Sequence, residues 1–220
     1  MNINGGKYVN IDSTTRNGIQ KAKNLNLASS GLADVIFTSY LYDASNGIFS
    51  SEIKGRCFAL LRHPVERAIS LYYYRKENEP YYKDMSFYDY MHHGTREDNW
   101  MTRFLSNKEI GTIYEIDFLK AKKVLKTKCL VGFVSKLEKS MKRFEKYFHW
   151  NDNGKKDETC FKELIEFGEN ANKNNKYMLD NESEIKSVEG EIVNRNYFDL
   201  KLFEYAKNEL FNEQEAYIYG

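Results

Sequence analysis

The feature that most restricts this chain is a five-residue apolar run, Cys57-Phe-Ala-Leu-Leu61, which leads straight into Arg62-His63-Pro64 and a helical pattern. The run is too short for a helix and shows no polar alternation, as expected of a strand buried on both faces. Pro64 suits a first helical position, and Val65, Ala68, Ile69 and Tyr72 recur at i, i+3, i+4 and i+7, predicting a helix to Glu77. A strand covered on both faces needs helices above and below it. The junction therefore favours an α/β fold with a parallel sheet over a helix bundle.

The same reasoning applied along the chain predicts a single domain over residues 1–220. Strands are expected at Tyr8–Ile11, Asp34–Phe37 and Cys129–Phe133. Ser13 or Thr14 can cap a helix to Leu27, and residues 39–55 read as a loop with a helical turn. Ser86 can cap a short helix through His92, followed by helices over Glu97–Leu105 and Tyr114–Lys126. Ser135 with Glu138 reads as a capping box for a helix reaching Phe148. Residues 151–196 are rich in Asn, Lys, Glu and Gly and read as a polar, partly mobile connection with an apolar island at Phe161–Phe167. Asp199 can cap a last helix that buries Leu202, Phe203, Ala206, Leu210 and Phe211.

Net charge is +1, so no global field recruits nucleic acid or a membrane surface, and an anionic ligand must be held by a local cluster. No stretch approaches the roughly 20 apolar residues of a membrane span, and the first residues lack the pattern of a signal peptide. Cys57, Cys129 and Cys160 have neither metal-ligand spacing nor a disulfide framework; Cys57 and Cys129, each opening an apolar run, read as small buried hydrophobes. Adjacent His92 and His93 cannot face one ligand from a helix, and no metal site is expected.

Chemistry concentrates at Leu61-Arg62-His63-Pro64-Val65-Glu66-Arg67-Ala68-Ile69-Ser70-Leu71-Tyr72-Tyr73-Tyr74. Ligands of open α/β sheets bind beyond the carboxyl ends of strands, where Arg62 offers a planar, permanently charged fork for a phosphate. Ser70 shares a helix face with Glu66, and its hydroxyl can donate to the same anion. The plainer alternative pairs Arg62 with a nearby carboxylate and leaves Ser70 solvated.

This stretch resembles the 3′-phosphate-binding motif of sulfotransferases that use 3′-phosphoadenosine-5′-phosphosulfate (PAPS), of the form Arg-x-Pro-x-x-Arg-x-x-Ser-x-Tyr. It is most similar to the carbohydrate branch that includes uronosyl and heparan-sulfate 2-O-sulfotransferases. Asn99-Trp-Met-Thr-Arg-Phe-Leu105, Leu130-Val-Gly-Phe133 with Leu137-Glu138, and Tyr197–Phe211 resemble later family segments in the same order. The resemblance implies a P-loop-NTPase-like three-layer fold, PAPS as sulfuryl donor without a metal, and a hydroxyl acceptor on a carbohydrate. It implies that Arg62 and Ser70 hold the 3′-phosphate and that the setting is the Golgi lumen or a membrane-associated one, the chain reading otherwise as soluble. Arg103 is an acceptor-side candidate for a sugar acid, with a surface ion pair as the equal alternative. Two family elements have no counterpart here: the strand–loop–helix gripping the 5′-phosphosulfate, and a histidine base ahead of Arg62. The chain is accordingly expected to begin inside the domain.

Asp34, Asp43 and Glu97 are the candidates for a base. Lys120, Lys122, Lys123 and Lys126 read as a solvated helix face, and Tyr72 is expected in the core before Tyr73 or Tyr74 can stack on a ligand. Two rivals stand beside the enzyme: an inactive module that keeps the 3′-phosphate site, and another nucleotide-dependent transferase, although no Gly-x-x-x-x-Gly-Lys-Ser/Thr loop is present.

Overall fold

The computed structural model describes residues 2–3, 6–7, 9–93, 97–150, 162–163, 165–166 and 182–219. Short strands β1 (Asn2–Ile3) and β2 (Gly6–Lys7) pair antiparallel. Helices α1 (Arg16–Asn24), α2 (Leu27–Ser30) and α3 (Leu41–Gly47) precede β3 (Cys57–Leu61). Helices α4 (Pro64–Asn78), α5 (Phe87–His92), α6 (Trp100–Ser106) and α7 (Glu115–Lys128) lead on to β4 (Cys129–Phe133). Then come α8 (Leu137–Phe148), α9 (Glu182–Arg195), α10 (Tyr197–Tyr205), a π turn (Ala206–Leu210), α11 (Phe211–Glu213) and α12 (Glu215–Tyr219).

Strands β3 and β4 pair in parallel, from Cys57 opposite Cys129 to Leu61 opposite Phe133. Every residue of β4 is buried, and its side chains divide between two cores. Cys129, Val131 and Phe133 pack with Met101, Phe118, Leu125 and Leu202, whereas Leu130 packs with Phe144, Phe148 and Ile218. The apolar run of β4 thus serves both faces of the sheet. By contrast β3, the run expected to be buried on both faces, is half-buried from Cys57 to Ala59 and exposed at Leu60, so the described helices cover that strand incompletely. At Gly132 a Cβ would stand 2.6 Å from the Phe144 ring and 2.7 Å from Ser140 Cβ. The missing side chain lets the Ser140 hydroxyl accept from Phe133 N at 2.7 Å.

The fold is a mixture of helices and a small parallel sheet, the coarse α/β class expected. Among the described residues that sheet has two strands. Neither Val9–Ile11 nor Asp34–Phe37 is a strand, and Tyr8 lies outside the described residues. Val9, Ile11 and Ile36 instead pack on a separate small core of Ile19, Ala22, Leu27, Ala44 and Ile48. Those apolar residues are used for packing, without ladder pairing.

The stretch 151–196 also differs from its reading as a polar connection, since α9 buries Ile185, Val188 and Ile192 against Val65, Ile69 and Tyr72 of α4. Its apolar positions are sparse among Glu, Lys, Ser and Asn, so composition concealed the stripe. Of the apolar island, positions 162, 163, 165 and 166 are helical, while Phe161 and Phe167 lie outside the described residues. Ser135 is no helix cap: Val134–Lys136 forms a 3₁₀ turn, and Lys136 is the residue flanking α8. Among the described residues no helix is long and apolar enough to cross a membrane.

Candidate functional site

Arg62 is the first residue beyond β3. His63 holds the extended flanking position of α4, and Pro64 fills its first helical position, so the chain turns at the carboxyl edge of the strand pair. The Arg62 side chain is three-quarters buried, and its one ion pair among the described residues is a loose 3.8 Å approach of Nε to Glu66. That Nε is buried and makes no hydrogen bond with a described residue. Burial pulls the guanidinium below its ordinary range, and the Glu66 carboxylate pushes back. Ser70 stands one helical turn beyond Glu66, half-buried, and forms no hydrogen bond with a described residue. Arg62 therefore leans on the helix stripe that carries Glu66 and Ser70.

The opposite face of α4 is closed. A cavity of about 20 Å³ there is bordered by Pro64, Arg67, Ala68, Glu97, Asn196 and Asp199. It has room for one water and for no nucleotide. Arg62 and Ser70 are not on its wall. Arg67 pairs with Glu97 at 2.5 Å and lies 4.3 Å from the Trp100 ring centroid.

Beside this cavity two helix starts cap each other. Asn99, in a left-handed conformation before α6, accepts with Oδ1 from Phe198 N and Asp199 N at the start of α10. Asp199 in return accepts from Met101 N at 2.9 Å and Thr102 N at 2.7 Å, at the start of α6. Asp199 therefore does not cap its own helix, of which it is the third residue, but the facing one. Burial pushes its carboxyl above the ordinary aspartate range, against the pull of the two amides.

Arg103 folds onto its own loop. It donates to Asp98 O at 2.9 Å, to Asp98 Oδ2 at 2.6 Å and to Gly111 O at 2.8 Å, so an acceptor acid would have to displace these partners. Two of the base candidates are also engaged: Glu97 with Arg67, and Asp43 with Arg16 at 3.0 Å. Asp34 is exposed. Lys122 covers the Tyr205 ring at 3.9 Å, Lys120 the Tyr42 ring at 5.1 Å, and Lys126 pairs with Glu213. Tyr72 is in the core and donates to Met85 O, whereas Tyr74 is exposed. Among the described residues no group of three or more His, Cys, Asp or Glu could hold a metal ion.

One connection escaped the sequence reading. Cys57 and Cys129 are joined in a disulfide, their Cα atoms 4.4 Å apart. Each cysteine opens a strand, and in-register parallel pairing makes them direct neighbours. That shared position was the available signal; a sequence separation of 72 hid it.

Comparison with family models, with curated proteins and with solved structures finds no match to this chain.

Proposed function

We propose that the chain is a sulfotransferase module that holds the 3′-phosphate of PAPS between Arg62 and Ser70 and serves transfer of the sulfuryl group to a carbohydrate hydroxyl. The observation carrying this reading is the Arg62 guanidinium: largely buried at the carboxyl edge of a parallel strand pair, with an Nε–H that has no acceptor among the described residues. A phosphate oxygen supplies that acceptor, and the Ser70 hydroxyl adds a second donor one stripe along. When bound, PAPS supplies an activated sulfuryl group for in-line displacement by the acceptor oxygen. Arg62 and Ser70 grip the far end of the nucleotide, and that binding energy orients the reacting end. The disulfide fits an oxidising compartment such as the secretory lumen.

The engagement of Asp43, Glu97 and Arg103 favours a second reading, a module that binds the nucleotide without turning it over. Calorimetry with adenosine 3′,5′-bisphosphate, paired with a sulfuryl-transfer assay, separates the two. We expect saturable binding, preference over ATP, and weakening of about 10–100-fold in Arg62→Gln, the scale of a lost charge-assisted hydrogen bond. Equal affinity in the variant would overturn both readings. Binding without turnover selects the second.

A further inference from the structure

Beyond the carboxyl ends of both strands, basic side chains from three segments gather around aromatic rings. Phe133, the last residue of β4, packs against Phe203 and Phe211 with ring centroids 5.3 and 5.2 Å away. The His63 ring meets Phe203 at 5.2 Å, and the Lys207 ammonium lies 6.0 Å from that same ring. Lys136, Lys139 and Arg143 approach Phe211 at 5.4, 5.1 and 3.8 Å. Three aromatic rings thus form an apolar floor. Its border carries Arg62 and His63 from the β3–α4 junction, Lys136, Lys139 and Arg143 from the β4–α8 segment, and Lys207 from the π turn.

Described carboxylates stand among these side chains, and Glu138, between Lys136 and Lys139 in sequence, pairs with Lys142 at 2.6 Å. Glu215 is taken by Lys139 at 2.5 Å and Arg143 at 3.3 Å, and Glu66 is loosely beside Arg62. Lys136 and Lys207 are exposed and form no ion pair with a described residue. Exposed lysines are ordinarily just solvated, but these two come from separate elements and meet one apolar floor at the edge where α/β sheets bind ligands. Lys207 also sits in a π turn, a helix irregularity frequent at functional sites.

We propose that Lys136 and Lys207, with His63, form a second anion subsite on this rim, for a phosphate- or sulfate-type group. The proposal rests on the reading of Arg62 as the first subsite. Two sources can supply the group: the other phosphate of the same nucleotide, or a sulfated sugar bound separately. The test titrates the full chain with adenosine 3′,5′-bisphosphate, adenosine 3′-monophosphate and a sulfated disaccharide. It compares wild type with Lys136→Gln/Lys207→Gln, and uses Lys120→Gln/Lys123→Gln as a control of equal charge. Bisphosphate affinity should fall about 10–100-fold in the rim variant, with the monophosphate and the control unchanged. A loss confined to the disaccharide also supports the subsite and assigns it to a sugar. Unchanged binding of all three ligands overturns it, as does equal weakening of bisphosphate and monophosphate. Arg62→Gln, run alongside, tests the first subsite by itself: intact monophosphate binding there defeats that reading. No binding of any ligand to wild type defeats both.

Discussion

The two ends of the β3–β4 pair contrast sharply in how their polar groups are satisfied. At the amino end the Cys57–Cys129 disulfide ties the strands, and Arg56 donates to Tyr147 O at 3.2 Å and Phe148 O at 3.4 Å. Gln214 covers the outer edge of β4, donating to Cys129 O and accepting from Val131 N, both at 2.8 Å. At the carboxyl end, among the described residues, the Arg62 Nε has no acceptor and Lys136 and Lys207 have no ion pair. One short sheet is anchored at one end and left available at the other. Stability and ligand binding should therefore respond to different residues.

The strongest way to break this contrast is to remove the anchor. A cross-link between residues 72 apart in sequence restricts the unfolded chain by about 4 kcal/mol. Cys57→Ser/Cys129→Ser should lose stability on that scale in urea unfolding, while bisphosphate affinity, measured where both proteins are folded, stays within about twofold, the change expected for additive, distant sites. If affinity collapsed with the fold intact, the two ends would be coupled and the division drawn above would be wrong.

A smaller effect is expected at the Asn99–Asp199 joint, which resembles the anchored end in having its donors and acceptors matched. Asp199→Asn puts an amide NH₂ where one of two backbone N–H groups needs an acceptor, at a cost of about 1–3 kcal/mol. The dependence on pH has a definite sign. Because burial raises the Asp199 pKa on folding, the folded state binds the proton more readily than the unfolded state. The advantage of wild type over Asp199→Asn should therefore grow as pH falls from 7 toward the ordinary aspartate range, and be complete below it. A shrinking advantage in urea unfolding at stepped pH would mean that the two amides outweigh burial.

The sequence was most legible where a local rule acts without competition. Pro64 begins α4, Ser86 caps α5 by accepting from Asp89 N, and Cys129–Phe133 is a strand, each as the residue pattern implies. It was least legible where a distant partner decides. Asp199 sits at a helix start and invites a local cap, yet tertiary packing turns it to α6. Asp34–Phe37 has strand-like residues, but Phe37 meets the Phe58 ring edge-on at 5.7 Å instead of joining a ladder. For the site, Arg62 and its helix stripe follow from periodicity. The commitment of Arg103 to Asp98 and Gly111 does not, because a loop carbonyl leaves no mark in sequence.

The smallest expected change in stability bears most directly on function. A residue kept for the fold costs stability when removed; one kept for a ligand can cost nothing, or even destabilise the empty protein. On the proposed reading Arg62 meets the second description: its guanidinium is largely withdrawn from water, and its one carboxylate partner among the described residues is 3.8 Å away. Methionine preserves much of the buried stem without a charge to desolvate. Arg62→Met should leave stability within about 1 kcal/mol of wild type, on the neutral or stabilising side, because an imperfectly compensated charge has gone. Urea unfolding of the ligand-free proteins measures this, and added bisphosphate should then stabilise wild type alone. A loss well beyond that range without ligand would make Arg62 a structural residue, and the carboxyl end would belong with the anchored one.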